Sequence, residues 1–262
     1  NTFTGNIIAD GLTYFNDPEL DGSFTNNVFA GGLIGRIEFA DNDADFSKNT
    51  ILNSPGDGYY DQFRIYGDSG LNQTVYFSKN LFSGNSSGYY VEHYNSGSGQ
   101  TYVSTTLNNM INNDEFYIRA GSVNSSVENN YWGTTTESEI QAMVYDWNDD
   151  ASLGFLDYDP YLTSPNTTAP ISPPAGVSQT SSSGNYVISW SANPESDLAG
   201  YKIYYGGYTG YSFSNVKDVG NVTSYDMTAA GLASYSDSVV AVTAYDINKD
   251  GTDDQVEGYE SW

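Results

Sequence analysis

A chain of 262 residues is long enough for one large domain or two ordinary ones. Its 33 acidic against 8 basic residues give a formal charge of −25, which repels nucleic acid and anionic lipid and argues against both as partners. The absence of cysteine excludes a disulfide framework and a thiolate metal site, and no run approaches the roughly 18 consecutive apolar residues of a membrane span.

From the N-terminus onward, an Asn followed two residues later by an apolar side chain recurs as Asn1/Phe3, Asn27/Phe29, Asn49/Ile51, Asn80/Phe82, Asn109/Ile111 and Asn130/Trp132. Intervals of 21–31 residues are too short for domains and too long for hairpins. A unit of that size is one supersecondary piece that buries its apolar residues by stacking on its neighbours. Asn1 already stands inside a repeat, as expected of a mature or truncated product of a longer precursor.

A second short strand follows within each repeat. Four of these alternate cleanly: Arg36-Ile-Glu-Phe39, Phe63-Arg-Ile-Tyr66, Val91-Glu-His-Tyr94 and Phe116-Tyr-Ile-Arg119. Alternation predicts Ile37, Phe39, Phe63, Ile65, Val91, Phe116 and Ile118 on one face. Clusters of Gly, Asn, Asp and Ser supply the turns between strands. Two or three short strands per repeat, without long helical periodicity, describe a coil rather than a meander. The coil runs out in Asn129-Asn-Tyr-Trp-Gly133, Glu139-Ile-Gln-Ala-Met-Val144 and Phe155-Leu-Asp-Tyr-Asp-Pro160, and Thr136-x-x-Glu139 has the spacing of a helix capping box.

This pattern resembles the right-handed parallel β-helix of the pectate-lyase-like superfamily, in which inward asparagines at turns stack into a ladder. The closing segment is similar to the cap of many β-helix repeat proteins. The resemblance covers residues 1–162 and implies six rungs, a stack of roughly 29 Å at about 4.8 Å per rung.

Thr163-Ser-Pro-Asn-Thr-Thr-Ala-Pro-Ile-Ser-Pro-Pro-Ala175 holds four of the eight prolines and no charge, and reads as an extended linker over 163–175. Residues 176–262 form the second domain. Tyr186-Val-Ile-Ser-Trp190, the run Asp197–Tyr205 and the run Ser238–Asp246 read as strands of an antiparallel sandwich. Their order, Trp, then Gly-Tyr-x-Ile-Tyr, then Val-x-Ala-Tyr-Asp, resembles a fibronectin type III domain. The chain departs from that family by carrying Ser238 where a Tyr often opens the sixth strand, with Tyr235 out of phase by three. The expected fold class is therefore all-β, a parallel β-helix followed by an antiparallel immunoglobulin-like sandwich.

Asp246-Ile-Asn-Lys-Asp-Gly-Thr-Asp-Asp-Gln-Val-Glu257 matches the calcium-loop spacing Asp-x-Asn-x-Asp-Gly-x5-Glu. Asp246, Asn248 and Asp250 alternate so that their oxygens converge, Gly251 permits the sharp turn, and Asp254 and Glu257 complete a set of hard oxygen ligands. No helices flank this loop, and Asp253 stands where an EF-hand carries an apolar residue. A structural Ca²⁺ is expected here, the alternative being a solvated acidic hairpin tip. Asp41-Asn-Asp-Ala-Asp45 and the acids near 17–21 and 146–150 are weaker sets, read as solvated turns.

With evenly stacked rungs, the outward phase places Arg36, Arg64, Glu92 and Tyr117 in one column and Glu38, Tyr66, Tyr94 and Arg119 in the next. All three arginines of the chain fall on this face. Gly58-Tyr-Tyr60 and Gly88-Tyr-Tyr90 bring further rings near it. Tyrosines stack on sugar faces and arginine forks bind the carboxylates of acidic polysaccharides. The competing reading is a ladder of cross-strand pairs that stabilises the rungs.

The resemblance implies that such a face is a substrate groove in lyases and hydrolases of the superfamily, which need a basic residue beside calcium-binding carboxylates, or a close carboxylate pair. Here Glu38 and Glu92 lie two rungs apart, about 10 Å, and His93 falls on the inward phase. No Ser-His-Asp set, phosphate loop or zinc spacing is present. Uncharged polarity and 24 Tyr suit an extracellular or bacterial cell-surface location. Three functions stay open: a carbohydrate-directed binding or structural module; a polysaccharide lyase or glycoside hydrolase; and a passive fibre or export cargo, partnered by export machinery or a larger surface assembly.

Overall fold

Short strands stacked coil upon coil satisfy their backbone amides only in the coils above and below, so the fold depends on what holds each coil at its corners. The computed structural model describes all residues except 1, 10–12, 17–21, 32–33, 41–42, 54–62, 68–72, 86–88, 96–100, 114–115, 183, 210–211, 236–238, 250–257 and 262. The chain divides into two units, Asn1–Pro170 with Val256–Gly258, and Ile171–Gln255 with Tyr259–Trp262. Among the described residues the structure is all-β apart from one short α-helix and one 3-10 turn, with parallel sheets in the first unit and antiparallel sheets in the second.

Three large parallel sheets and a two-stranded one, Ser125–Ser126 with Leu156–Asp157, build the described part of the first unit. One contains Thr2–Thr4, Gly22–Thr25, Ala44–Ser47, Gln73–Ser78 and Thr101–Thr106. The next contains Ile7–Ala9, Val28–Ala30, Thr50–Leu52, Leu81–Ser83 and Asn109–Ile111. The third contains Thr13–Asn16, Ile34–Ala40, Phe63–Gly67, Tyr89–Asn95, Phe116–Ala120 and Val144–Tyr145. The chain visits the sheets in turn, one strand at a time, so each circuit lies on the one before.

The corner between the first two sheets carries the asparagine ladder. Its members are Asn6, Asn27, Asn49, Asn80, Asn108 and Asn130, at separations of 21, 22, 31, 28 and 22 residues. At each step the Oδ1 of one Asn accepts both the backbone N–H and the side-chain Nδ2 of its neighbour, over 2.9–3.2 Å. From Asn27 onward the same Nδ2 groups also reach a carbonyl of the preceding strand, as Asn80 does to Phe46 O at 3.0 Å. The residue before every ladder Asn is left-handed: Gly5, Asn26, Lys48, Lys79, Leu107 and Asn129 have φ between 54° and 68°. That bend turns the amide inward.

Two of the six sequence assignments therefore move. Asn6 rather than Asn1 begins the described ladder, and Asn108 rather than Asn109 continues it. The two-residue spacing to an apolar side chain still holds, as Asn6/Ile8 and Asn108/Met110. Adjacent asparagines satisfy that spacing equally, and the left-handed residue decides between them. A shorter ladder joins Asn85 to Asn113 at 2.9 Å. Asn85 is fully buried there, so its Asn-Ser-Ser sequon is inaccessible to glycosylation in the folded chain.

Inside the coil the register aligns Phe3, Phe24, Phe46, Phe77 and Thr105 in one column and Ile8, Phe29, Ile51, Phe82 and Met110 in another. Phe46 and Phe77 stack with centroids 5.0 Å apart and planes within 6°. Trp132 closes this core with Ile140, Val144 and Leu156. Ile140 belongs to the helix Glu137–Ala142, whose N-cap is Thr136 as expected, but without a side-chain capping bond. Thr134 takes over the capping-box role: its hydroxyl donates to Glu139 and accepts the Thr136 N–H at 3.1 Å. Within the segment read as an extended linker, Asn166 exchanges bonds of 2.8 and 3.0 Å with Asn109 and donates to Leu107 O at 2.7 Å. An asparagine side chain thus ties part of that segment to the coil.

The second unit packs two three-stranded antiparallel sheets. Gln179 and its neighbours in Ser178–Ser182 pair with Asn185–Ser189, which pairs with Ser224–Asp226; Ser212–Gly220 pairs with Leu198–Thr209, which pairs with Ala241–Asp246. Tyr186, Ile188, Trp190, Tyr201, Ile203, Met227 and Ala244 fill the core, with Trp190 edge-on to Tyr201 at 5.3 Å. Ser238 lies outside the described residues, while Tyr235 packs edge-on to Tyr205 at 4.9 Å.

Asn80→Ala is expected to destabilise the first unit by about 3 kcal/mol or more, because it strands buried groups on both neighbouring coils, whereas Asn6→Ala at the outer end is expected to cost about 1 kcal/mol. Leu107 occupies a conformation that disfavours L side chains, so Leu107→Asn is expected to raise stability by up to about 1 kcal/mol. Denaturant unfolding of the full chain, followed on the first unit's transition, measures all three.

Candidate functional site

The third sheet carries the face read as a site, and its register differs from even stacking. Asn16, Glu38, Arg64, Glu92, Arg119 and Tyr145 form one column. Tyr66 and Tyr94 share a column with Ala40, Arg36 pairs with Tyr14, and Tyr117 pairs with Tyr90. Relative to expectation, Arg36 is displaced by two residues from the Arg64 column and Arg119 joins it in place of Tyr117. A two-residue shift preserves inward and outward phase, so alternation in sequence is blind to it. Ile37, Phe63, Val91, Ile118 and Val144 share a column, and His93 shares another with Ile65 and Ala120. Ile118 and Ala120 are fully buried.

The column of alternating sign, Glu38, Arg64, Glu92, Arg119, is formally neutral. Neighbouring positions across parallel strands stand about 4.8 Å apart. Arg119 meets the ring of Tyr145 with its guanidinium 5.9 Å from the centroid.

Beyond Tyr145 the cap exposes an aromatic group that the sequence reading missed. Val144 and Asp146 are buried while Tyr145 and Trp147 are exposed, so the alternation of the strand continues past its end. Trp147 lies 5.1 Å from the equally exposed Phe155. Phe155 also borders a shallow cavity of about 490 Å³ with Asn124, Ser125, Ser126, Leu156 and Asp157. Asn124 holds this edge by accepting the Phe155 N–H at 2.9 Å. The signal in the sequence was Tyr145-x-Trp147, an aromatic alternation inside a segment read only as a cap. A second cavity of about 430 Å³ is lined by Glu137, Asp157, Tyr158, Asp159 and Tyr161.

The acidic turns sort by their hydrogen bonds. Asp43 accepts the Thr74 N–H at 2.7 Å, a tie between coils, and Asp41 lies outside the described residues. Asp146 is buried and accepts Asn148 N, Asn148 Nδ2 and Leu156 N over 2.9–3.1 Å, so this carboxylate holds the cap together. In the calcium-type loop Asp246 is buried and Asn248 exposed, and Asp250, Asp254 and Glu257 lie outside the described residues. Among the described residues no three His, Asp or Glu side chains gather as a metal-holding group.

Beside Asp246 stands an acid that no spacing rule pointed to. Asp197 is buried, and its Oδ1 has no hydrogen-bond partner among the described residues. Burial pushes the Asp197 carboxyl above its ordinary value, and burial followed by the charge of Asp197 does the same to Asp246. Glu195 is pushed up by burial too, although its oxygens accept Ser172 N at 2.9 Å and Asn193 Nδ2 at 3.3 Å. Glu260 is buried in full contact with donors: Lys202 Nζ and Tyr204 OH at 2.6 Å and Thr243 Oγ1 at 2.7 Å.

For acids raised in the folded state, the folded chain binds protons more tightly than the unfolded one. Stability is then lost as pH rises from the ordinary values of 3.8–4.5 through the raised ones. In chelator, the second unit is expected to melt several degrees higher near pH 5 than at pH 7.5, as read by calorimetry. Comparison with known proteins finds no match: no protein-family model, no curated protein and no solved structure is similar to this chain at a significant level.

Proposed function

We propose that this is an extracellular or cell-surface module in which a right-handed parallel β-helix precedes a fibronectin type III-like sandwich. Three sheets visited in turn, with stacked corner asparagines, support the first assignment. Two antiparallel three-stranded sheets over a Trp190–Tyr201 core support the second. Its role in this reading is to bind neutral carbohydrate through aromatic side chains, with the charged column serving as a ladder between coils.

The observation that carries the reading is the exposed group Tyr145, Trp147 and Phe155 beside a cavity edged by Asn124, Ser126 and Asp157. Exposed rings next to polar groups match the two faces of a sugar, apolar C–H on one side and hydroxyls around it. An acidic glycan fits less well. The Glu38–Arg119 column cancels its own charge, and the chain as a whole repels anions at −25.

Affinity electrophoresis in soluble neutral glucan or xylan, with polygalacturonate as the acidic control, tests this. Retardation by a neutral glycan is expected, reduced about tenfold or more in Trp147→Ala and Phe155→Ala. Arg64→Ala is expected to lower the melting temperature of the first unit and leave binding unchanged. Turnover of any of these glycans, measured as new reducing ends or unsaturated products and lost in Arg64→Ala or Glu92→Ala, would replace the binding module with an enzyme whose groove lies on the third sheet. Absence of binding to all of them would leave a passive fibre or export cargo.

A further inference from the structure

We propose that the second unit holds a divalent cation, Ca²⁺ by the chemistry of its ligands, between the buried carboxylates of Asp197 and Asp246, with Asn248 at the rim. The proposal is independent of glycan binding and centres on Asp197, which lies outside the calcium-type spacing.

The backbone brings the two acids together. Asp197 immediately precedes the strand Leu198–Thr209, and Asp246 ends its antiparallel neighbour Ala241–Asp246, with Leu198 opposite Asp246 in the register. The N–H of Ile247 donates to the carbonyl of Asp197 at 2.9 Å, which locks this sheet end. Both residues are more than nine-tenths buried, at 8% exposure for Asp197 and 4% for Asp246.

The two acids differ in their hydrogen bonding. Asp246 Oδ1 accepts the N–H of Asn248 at 2.7 Å, which orders the start of the loop. Asp197 Oδ1 is buried with no hydrogen-bond partner among the described residues. An ionised carboxylate in that state is strongly disfavoured, and a second carboxylate beside it adds repulsion. Glu260, equally buried, shows the protein's own solution for a structural acid, with a lysine and two hydroxyls arranged around it. Lys202 is spent on that network, and Lys249 stands over the Tyr245 ring at 3.7 Å, on the side of Asp218.

A cation removes both penalties at once. The donors are oxygens only, two carboxylates and an amide, in a chain without cysteine and with a single histidine far from this unit in sequence. Such a set selects a hard ion. Ca²⁺ accepts irregular shells of six to eight oxygens and completes them with carbonyls and water, whereas Mg²⁺ demands a near-ideal octahedron.

The test uses the full chain stripped with EDTA and titrated with CaCl₂ by calorimetry, with Tb³⁺ luminescence as a second probe. One saturable site and a calcium-dependent rise in the melting temperature of the second unit are expected. Asp197→Asn is expected to weaken Ca²⁺ binding about tenfold or more, with an unchanged circular dichroism spectrum and a calcium-free melting temperature no lower than the parent's. Asp246→Asn reads the same site should the first variant fail to fold. Absence of binding at millimolar Ca²⁺ overturns the proposal and leaves a shared proton between the two acids. Unchanged affinity in Asp197→Asn together with loss in Asp250→Asn also overturns it, assigning the ion to the loop alone.

Discussion

A buried primary amide has two hydrogens and an oxygen to satisfy, and in the first unit each inner ladder asparagine, from Asn27 to Asn108, does so through the coils on either side. Asn49 leans on Asn80 through two bonds and receives two from Asn27. No member is complete alone, so the interaction exists only in a stack. Because backbone N–H and side-chain Nδ2 converge on one oxygen, the ladder sets both the spacing of the coils and their phase. The left-handed residue before each asparagine is part of the same device, and it is kept even where Leu107 must adopt it.

Everything else in that unit is slaved to this corner. With the asparagines aligned, the phenylalanines three positions before them align as well, and Phe46 lies flat on Phe77. Two sheets flank the ladder directly and inherit its register with little freedom. The third sheet is reached through longer connections and returns through others, so its register depends on how many residues each loop absorbs. Here the register places Glu38, Arg64, Glu92 and Arg119 at matched positions on successive coils. The last coil cannot hand its apolar face to another, and Trp132 with Ile140 and Leu156 ends the core. The cap that does this turns Trp147 and Phe155 outward.

The second unit obeys different physics. Its sheets are antiparallel and its strands longer, so register comes from adjacent strands and not from stacked side chains. What distinguishes its acids is completeness. Glu260 is buried among three donors and reads as structure. Asp197 is buried beside Asp246 with an oxygen that meets no donor among the described residues. Equal burial with unequal satisfaction separates an acid that holds the fold from the one that carries the proposed cation site.

Much of this was legible in the residues. The Asn-x-apolar spacing named four of the six ladder asparagines, and alternation assigned Ile118 to the interior and Arg119 to the other face. Periodicity reports phase, because burial of one face punishes any odd shift. It does not report register, because an even shift costs nothing in phase, and so the partners of Arg36 and Arg119 were decided only in the folded sheet. Asn108 and Asn109 are indistinguishable by spacing and differ only once Leu107 is left-handed. Asp197 and Asp246 are separated by a strand, a hairpin and a return, and nothing local links them. The sequence by itself determined that the chain is all-β and coils upon asparagines, since those are properties of short-range pattern. Which charges face one another, and which acid is left without a donor, tertiary structure alone decided, because they depend on residues meeting across the chain.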